Sequence, residues 1–463
     1  MQPPNSINTA TSSTGRLPLL NDQEVGVVAV GEIIDEPKSI KRGASIAAVA
    51  FVLLNTALGS GILGLPGAFA KAGMFGGIGL LAITSVLAVI GVHLLCEVAD
   101  RVGRPASFYS VSQAAAGAQA GVLIDVLIAI NAFGCATSYL IVVGDVLPEV
   151  SSSFNAPALL TSRNFWMLVA LAVGAPLSYL RDLSALSATS YVAFVCVVYI
   201  SAVVGVFAID PAGFDPCGAG MEANTTHCGG EVQPLTSIST TLDAMPIFIF
   251  AFTTNQNAIS ITNELTRPTP GRILASTFLA ITLALGLYLL VGICGYSTYG
   301  DHVNSDILKS YPEESTLPIV ARVAIAFVVT TCYPMQIHPG RNSLMSLLSK
   351  FCSTALIDKL GGESGAGLLV LATSSLVAGS IGVALAVKSL GVMLTIIGSI
   401  CSTSVSFIVP GGCYVLLFTE RGWTVKRLIA LLMLLLGLVI APLCLVLTFL
   451  PKKDGENELQ MWV

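Results

Sequence analysis

Charge is what this chain has least of. Asp, Glu, Lys and Arg make up 11% of its 463 residues, where a soluble domain carries about a quarter. The four histidines stand apart from one another. None of the eleven cysteines forms a pair or quartet with metal-ligand spacing. Most cysteines lie in apolar runs, where a thiol packs as a small hydrophobe. No basic block is long enough to track a phosphate backbone, which argues against nucleic acid as a partner. No secretory signal is present; residues 1–42 are polar and turn-rich, with Pro3, Pro4 and Pro18, and have the composition of a disordered cytosolic tail. Neither a nucleophile–base pair nor a cofactor fingerprint stands out, so an enzyme is the least supported class and no cofactor is expected.

What is present is apolar. Hydrophobic residues make up 54% of the chain and the mean hydropathy is +0.82, the composition of an all-α, polytopic membrane protein whose surroundings are a lipid bilayer. Windows of about 20 residues give eleven spans near 44–70, 73–96, 119–143, 165–180, 187–209, 241–262, 273–296, 316–337, 366–387, 389–411 and 427–450. They form one membrane domain, 43–450, followed by a short tail, 451–463. The segment 106–118 is too small and polar to span and fits an interfacial helix.

The basic residues set an orientation. With the N-terminus inside, Lys38, Lys41, Arg42, Arg101, Arg104, Arg181, Arg267, Arg272, Arg341, Lys350, Lys359, Arg421, Lys426 and Arg427 all fall at inner ends or inner loops. The loop near 297–315 is acidic, with Asp301, Asp306, Glu313 and Glu314, and falls outside. The long loop 210–240 carries a glycosylation sequon at Asn224 and two cysteines, Cys217 and Cys228, that close a short loop. Both features belong on the extracellular or luminal side, where five preceding spans put them. The odd span count puts the C-terminus outside.

The first span, LLNTALGSGILGLPGAFAKAG at 53–73, crowds Gly59, Gly61, Gly64, Gly67 and Pro66 among polar Asn55, Thr56 and Ser60. Glycines alone permit close helix packing, but the polar neighbours and the proline favour an unwound helix. Lipid tolerates such a break only where protein encloses it or a cavity borders it. In the sixth span Thr253, Thr254, Asn255, Gln256 and Asn257 run consecutively. At 3.6 residues per turn they cannot share one face, so either several point into a crowded interior or the helix opens. Spans one and six occupy corresponding places in two five-span halves, where transporters built from inverted repeats place their discontinuous helices. Unwound backbone there offers amides to a carboxylate and carbonyls to a cation, which fits an amino acid. In the eighth span, hydroxyls of Thr330 and Thr331 could join carbonyls of span one around a sodium ion or simply bond their own helix. Thr395, Ser399, Ser402, Thr403 and Ser406 give span ten a polar face that borders the path or serves helix contacts.

LLNTALGSGILGLPGAFAKAG also closely resembles the first-span signature of the amino acid/auxin permease superfamily, most of all its sodium-coupled neutral amino acid transporter branch. The resemblance runs from about 42 to 450, with the eleven-span layout, the cysteine-paired outer loop, the threonines of span eight and GYSTYG at 295–300. It implies a secondary active transporter of neutral amino acids working by alternating access, with the five-plus-five inverted-repeat fold, discontinuous helices 1 and 6 and an eleventh peripheral helix. The family's sodium-binding asparagine falls on Asn55 and its threonine on Thr330 or Thr331. Substrate contact is expected from Ser60, Gly61, Thr253, Thr254, Asn255 and Asn257. Cys332, Tyr333 and His338 depart from many relatives, which leaves sodium or protons as the coupling ion and the plasma membrane or a vacuolar or lysosomal membrane as the site. A proton-coupled permease or exporter is the alternative, and an amino-acid sensor with little transport is another. A channel would need a repeated filter, which the sequence lacks.

Overall fold

The structure, a computed structural model, describes residues 44–180, 187–217, 226–362 and 365–449. The expected tails at 1–42 and 451–463, and the sequon residue Asn224, lie outside the described residues. The described chain is all helical. The first span is split into α1 (Ile46–Ala57) and α2 (Gly61–Ala72), bent by 59°. Spans two to five are α3 (Met74–Val102), α5 (Ala118–Ser153), α6 (Arg163–Ser178) and α7 (Ser187–Ile209). Between the second and third spans the polar segment forms α4 (Phe108–Ala116), closed at its start by a reciprocal Ser107–Ser110 capping box. A single turn, α8 (Pro211–Phe214), begins the outer loop.

The sixth span is split as well, into α9 (Ile238–Ala251) and α10 (Asn255–Asn263). Spans seven and eight are α11 (Pro270–Tyr299) and α12 (Thr316–Phe351). After the short α13 (Thr354–Lys359) comes span nine, α14 (Ala366–Ala386). Span ten is α15 (Leu390–Ile397), two π-helical turns over Gly398–Ser402 and Ser404–Ile408, and α16 (Val409–Leu417). Span eleven is α17 (Val425–Phe449). Among the described residues eight helices are long and apolar enough to cross a membrane, and the bent α1–α2 pair makes a ninth. The shorter α6 and the broken α9–α10 pair supply the remaining two.

Much of the helix packing follows one pattern: a contact made by span k recurs for span k+5. The strongest pair, α5 with α12, joins spans three and eight, and α3 with α11 joins two and seven. Span three packs on span ten through α5 and α15, as span eight packs on span five through α12 and α7. Likewise α6 on α12 mirrors α14 on α5. Each half thus docks on the other as its own image, the arrangement of two related five-helix units. The extra helix α17 packs on span ten, outside that symmetry.

The α5–α12 pair is clamped at both ends. On the side of the outer loop, which is called the outer side below, fully buried Arg322 of α12 lies 2.9 Å from Glu149 of α5. It also donates to the Leu308 and Tyr311 carbonyls at 2.9 and 2.7 Å. At the inner end Ser346 donates to Asp125 at 2.7 Å, and Lys350, lying 3.4 Å from the same carboxylate, also covers the Tyr109 ring at 3.7 Å. The outer loop is stapled by a Cys217–Cys228 disulfide, as the sequence led us to expect.

Removing a buried ion's partner costs far more than removing an exposed one. Arg322→Ala strands Glu149 and two buried carbonyls, and should cost about 3–5 kcal/mol. Lys350→Ala at the half-exposed inner clamp should cost about 1 kcal/mol or less. Unfolding midpoints of the two purified variants check the ranking.

Candidate functional site

The first helix breaks where its side chains vanish. A Cβ on Gly59 would lie 2.7 Å from the Tyr139 hydroxyl oxygen, and one on Gly61 would lie 3.2 Å from the Cα of Ala251. The glycines therefore let α5 close on the break and let the two broken spans cross backbone to backbone. Ser60, fully buried between them, shares a 2.8 Å hydrogen bond with Ser138 of α5.

The second break, at Phe252–Thr254, lies against the first. The run of five polar residues resolves both ways at once: the helix opens, and its members then diverge. Thr253 donates to its own Ile249 carbonyl at 2.9 Å. Thr254 is buried just before α10, and Asn257 is half-buried one turn further on. Asn255 turns to span ten, where its amide nitrogen lies 3.4 and 3.3 Å from the Val405 and Ser406 carbonyls. Those carbonyls belong to a π-helical turn, whose looser ladder leaves oxygens within reach of a neighbour.

One side chain holds both breaks together. Tyr288 of α11 is fully buried, and its hydroxyl lies 2.7 Å from the Ala57 carbonyl and 2.9 Å from the Ala251 carbonyl. Ala57 ends α1 and Ala251 ends α9, so one phenol proton serves the two helix C-termini that meet inside the protein. Such carbonyls have no intrahelical partner and carry the negative end of the helix dipole. The N-termini of α2 and α10, which carry the positive end of the helix dipole, begin beside them. Two negative and two positive helix ends therefore converge on one small volume.

That volume is a cavity lined by Thr56, Ala57, Gly59, Ser60, Cys135, Tyr139, Phe250, Thr253, Gln256 and Gln336. Among the described residues no Asp, Glu, Lys, Arg or His lines it. Its polar wall is a chain of amides: Asn131 donates to Gln256, Gln256 donates to Gln336 at 2.9 Å, and Gln336 donates to Tyr139 at 3.2 Å. Ser402 of span ten donates to Asn131 at 3.2 Å. Spans three, six, eight and ten are joined by this single network.

Of the residues expected to touch a substrate, Ser60 and Thr253 line the cavity. Gly61 forms the crossing behind it, and Thr254, Asn255 and Asn257 are placed around it. Gln256, a member of the polar run of span six, lines it too, while Gln336, Tyr139 and Asn131 emerge only in three dimensions. The signal for them was present in the uncharged amides of spans three, six and eight, which a search for ionisable residues passes over. Asn55 is buried on α1 with its amide nitrogen 4.0 Å from the Met335 sulfur on α12. Thr331, one turn outward of Met335, donates to the Phe327 and Val328 carbonyls of its own helix at 2.9 and 3.0 Å. Thr330 borders a separate crevice with Tyr139, Val143, Ala170 and Tyr333.

The cavity is shut on both sides. Its free volume is about 20 Å³, room for little more than a water molecule. On the inner side the start of α1 is zipped to the end of α10: Ala44 N–H donates to the Glu264 carbonyl and Thr266 N–H to the Ala44 carbonyl, both at 3.1 Å. Arg104 adds bonds to Thr262 and Asn263 at 3.2 and 2.9 Å. On the outer side Lys71 of α2 pairs with Asp243 of α9 at 3.0 Å.

The chain matches known proteins over most of its length. Residues 42–450 match the family model described as transmembrane amino acid transporter protein. The chain is 30% identical to vacuolar amino acid transporter 6 of Saccharomyces cerevisiae, over 87% of this chain and 98% of the relative. It is 32% identical to vacuolar amino acid transporter 5 of Schizosaccharomyces pombe, over 78% and 82%. With the human sodium-coupled neutral amino acid transporter 7 it shares 27% identity over 88% and 87%.

Tyr288→Phe keeps the ring and removes only the hydroxyl, leaving two buried helix-end carbonyls without their shared donor. The expected loss is about 1–3 kcal/mol. Thermal unfolding of the purified protein checks it, and an unchanged midpoint would mean that the hydroxyl does not hold the breaks together.

Proposed function

The chain belongs to the transmembrane amino acid transporter family, and from that premise we propose that it is a secondary active transporter of neutral amino acids that works by alternating access. The observation that carries the reading is the central cavity. A zwitterion needs partners for a carboxylate and an ammonium group, and the N-terminal amides of α2 and α10 and the C-terminal carbonyls of α1 and α9 supply both without a charged side chain. A lining without carboxylates, cationic side chains or histidine favours a substrate whose own side chain is uncharged. A cavity this small fits an occluded state, from which either end must open to exchange its contents.

Sodium is the proposed coupling ion, with Asn55 in its shell and Thr330 or Thr331 as the hydroxyl ligand. Asn55 stands two residues before the α1 C-terminus, where carbonyls are available to a cation. The vacuolar names of two relatives favour a second reading, proton-driven movement across a vacuolar or lysosomal membrane. In both, the N-terminus faces the cytosol, and the disulfide loop and C-terminus face the lumen or exterior.

Uptake of a panel of labelled neutral amino acids, with sodium and pH varied independently, tests the proposal. Loss of uptake when choline replaces sodium supports the first reading, and uptake that survives choline but collapses with the pH gradient supports the second. Binding with no counterflow in proteoliposomes would overturn transport altogether. Asn55→Ala should raise the sodium concentration for half-maximal uptake by about tenfold or more, a change of about 1.4 kcal/mol, while the protein still reaches the membrane. For orientation, a glycosidase should increase the gel mobility of the native protein and leave Asn224→Gln unchanged. A native protein that does not shift argues against a glycan on the disulfide loop.

A further inference from the structure

Between α11 and α12 the chain crosses the outer side as a strap, residues 300–315. Its Ser305 packs against α2 and α15. A Cβ on Gly67 of α2 would lie 3.4 Å from the Ser305 Cα, and one on Gly391 of α15 would lie 3.1 Å from its Cβ. A Cβ on Gly64, one turn outward from cavity-lining Ser60, would lie 3.8 Å from the Ser305 carbonyl. The strap therefore rests on the outer half of the broken first span, on the outer side of the cavity.

The residue after this contact is Asp306, which is fully buried. Its Oδ1 caps a short turn by accepting the Leu308 N–H at 3.0 Å. Its Oδ2 is buried with no hydrogen-bond partner among the described residues. A carboxyl placed so is far better tolerated neutral than charged.

The groups packed around it do not remedy this. From α5 come two more acids, Asp145 and Glu149. Arg322 of α12 is taken by Glu149 and by the Leu308 and Tyr311 carbonyls. Arg163 of α6 lies 3.2 Å from Asp145 and donates to the Val387 carbonyl. Lys309 on the strap lies 3.9 Å from Asp145, and Lys71 of α2 is paired with Asp243. Burial first, then Asp145 and Glu149, push the Asp306 carboxyl up to about 7, against the smaller pull of Lys309.

We propose that Asp306 is a proton-binding site of the outer gate: the strap seats over the cavity with Asp306 protonated, and loss of that proton favours its lifting. A lifted strap returns the carboxyl to water and to the ordinary carboxylate range. The seated state is then favoured as pH falls through the raised value, and the gain is complete below the ordinary one. Acid on the outer side closes the gate. The inference rests on the transport reading for its purpose, but not on which ion drives transport.

Cys135, buried in the cavity wall, is a native reporter. In sealed vesicles that expose the outer face, its modification by a membrane-impermeant thiol reagent is followed by peptide mass spectrometry for the native protein and for Asp306→Asn. The ratio of the two rates cancels the reagent's own pH dependence. It should rise at least about fivefold from pH 5 to pH 8, since a carboxyl held at about 7 when seated and in the ordinary carboxylate range when lifted shifts their ratio by about tenfold for each pH unit between those two values. Asp306→Ser, which can still cap Leu308, should behave as Asp306→Asn and serves if the amide fails to fold. Asp306→Glu should keep a rate that responds to pH relative to the neutral variants. A ratio that stays flat from pH 5 to 8 overturns the proposal. Because labelling needs no turnover, a pH-dependent ratio without amino-acid counterflow would leave the gate standing and overturn the transport reading instead.

Discussion

Every backbone N–H and C=O inside a bilayer must find a partner within the protein, and this molecule interrupts two helices at mid-membrane. The rest of the architecture answers that constraint. The two breaks are laid against one another, so that lipid reaches neither. Gly59 and Gly61 remove the side chains that would hold Tyr139 and the Ala251 backbone away. Tyr288 brings one hydroxyl to the two helix-end carbonyls that converge there. Around the breaks lies a small cavity with a polar wall of amides and hydroxyls.

Mobility then has to be confined to the broken pair. Spans one and six are joined to each other at both ends, by the Ala44–Leu265 bridge inside and the Lys71–Asp243 pair outside. Spans three and eight are joined to each other separately, by Glu149–Arg322 outside and Asp125–Lys350 inside. Each pair is fastened to itself more firmly than to the other. The amide chain from Asn131 through Gln256 and Gln336 to Tyr139 is the polar seam between them. Amide-to-amide bonds can be exchanged for bonds to a substrate at little net change, because both partners are neutral and each hydrogen bond is worth only about 1 kcal/mol net. A charged seam would cost far more to open.

The fold was legible in the sequence to the level of its two breaks, and for a physical reason. Lipid forces every span to be long, apolar and uncharged, so spans announce themselves. Glycine, proline and consecutive polar residues are so costly at mid-span that their presence at 55–66 and 253–257 had few explanations. The relatives agree with the resemblance carried by the first span. The cavity wall was less legible. Asn131 and Gln336 are single amides in helices that are otherwise ordinary, and one amide in a span gives no periodic signal. Asn255 shows the converse: its polarity was visible, but its partners are carbonyls freed by π-helical turns in span ten, which no residue type marks. Thr331 turned to its own helix for the same reason that threonines often do, since the i−4 carbonyl is always within reach.

The two closures differ in kind, and that difference bears on how the cycle is driven. The inner closure includes backbone bonds between Ala44, Glu264 and Thr266, whose donors and acceptors do not titrate. The outer closure is a strap whose own carboxyl is buried among acids, over an ion pair between the outer half-helices. Opening the inner side means breaking a short run of hydrogen bonds and exposing them to water, which replaces most of what is lost. Opening the outer side frees a buried acid, so its balance shifts with the pH of the outer compartment and hardly with that of the inner one. A transporter whose gates respond to different compartments gains a directional bias even before its coupling ion is considered, because the acid side holds its own gate shut. The fully buried carboxyl in the strap and the ladder of plain amides within the seam are therefore complementary: the first makes one gate conditional, and the second lets the centre yield once the condition is met.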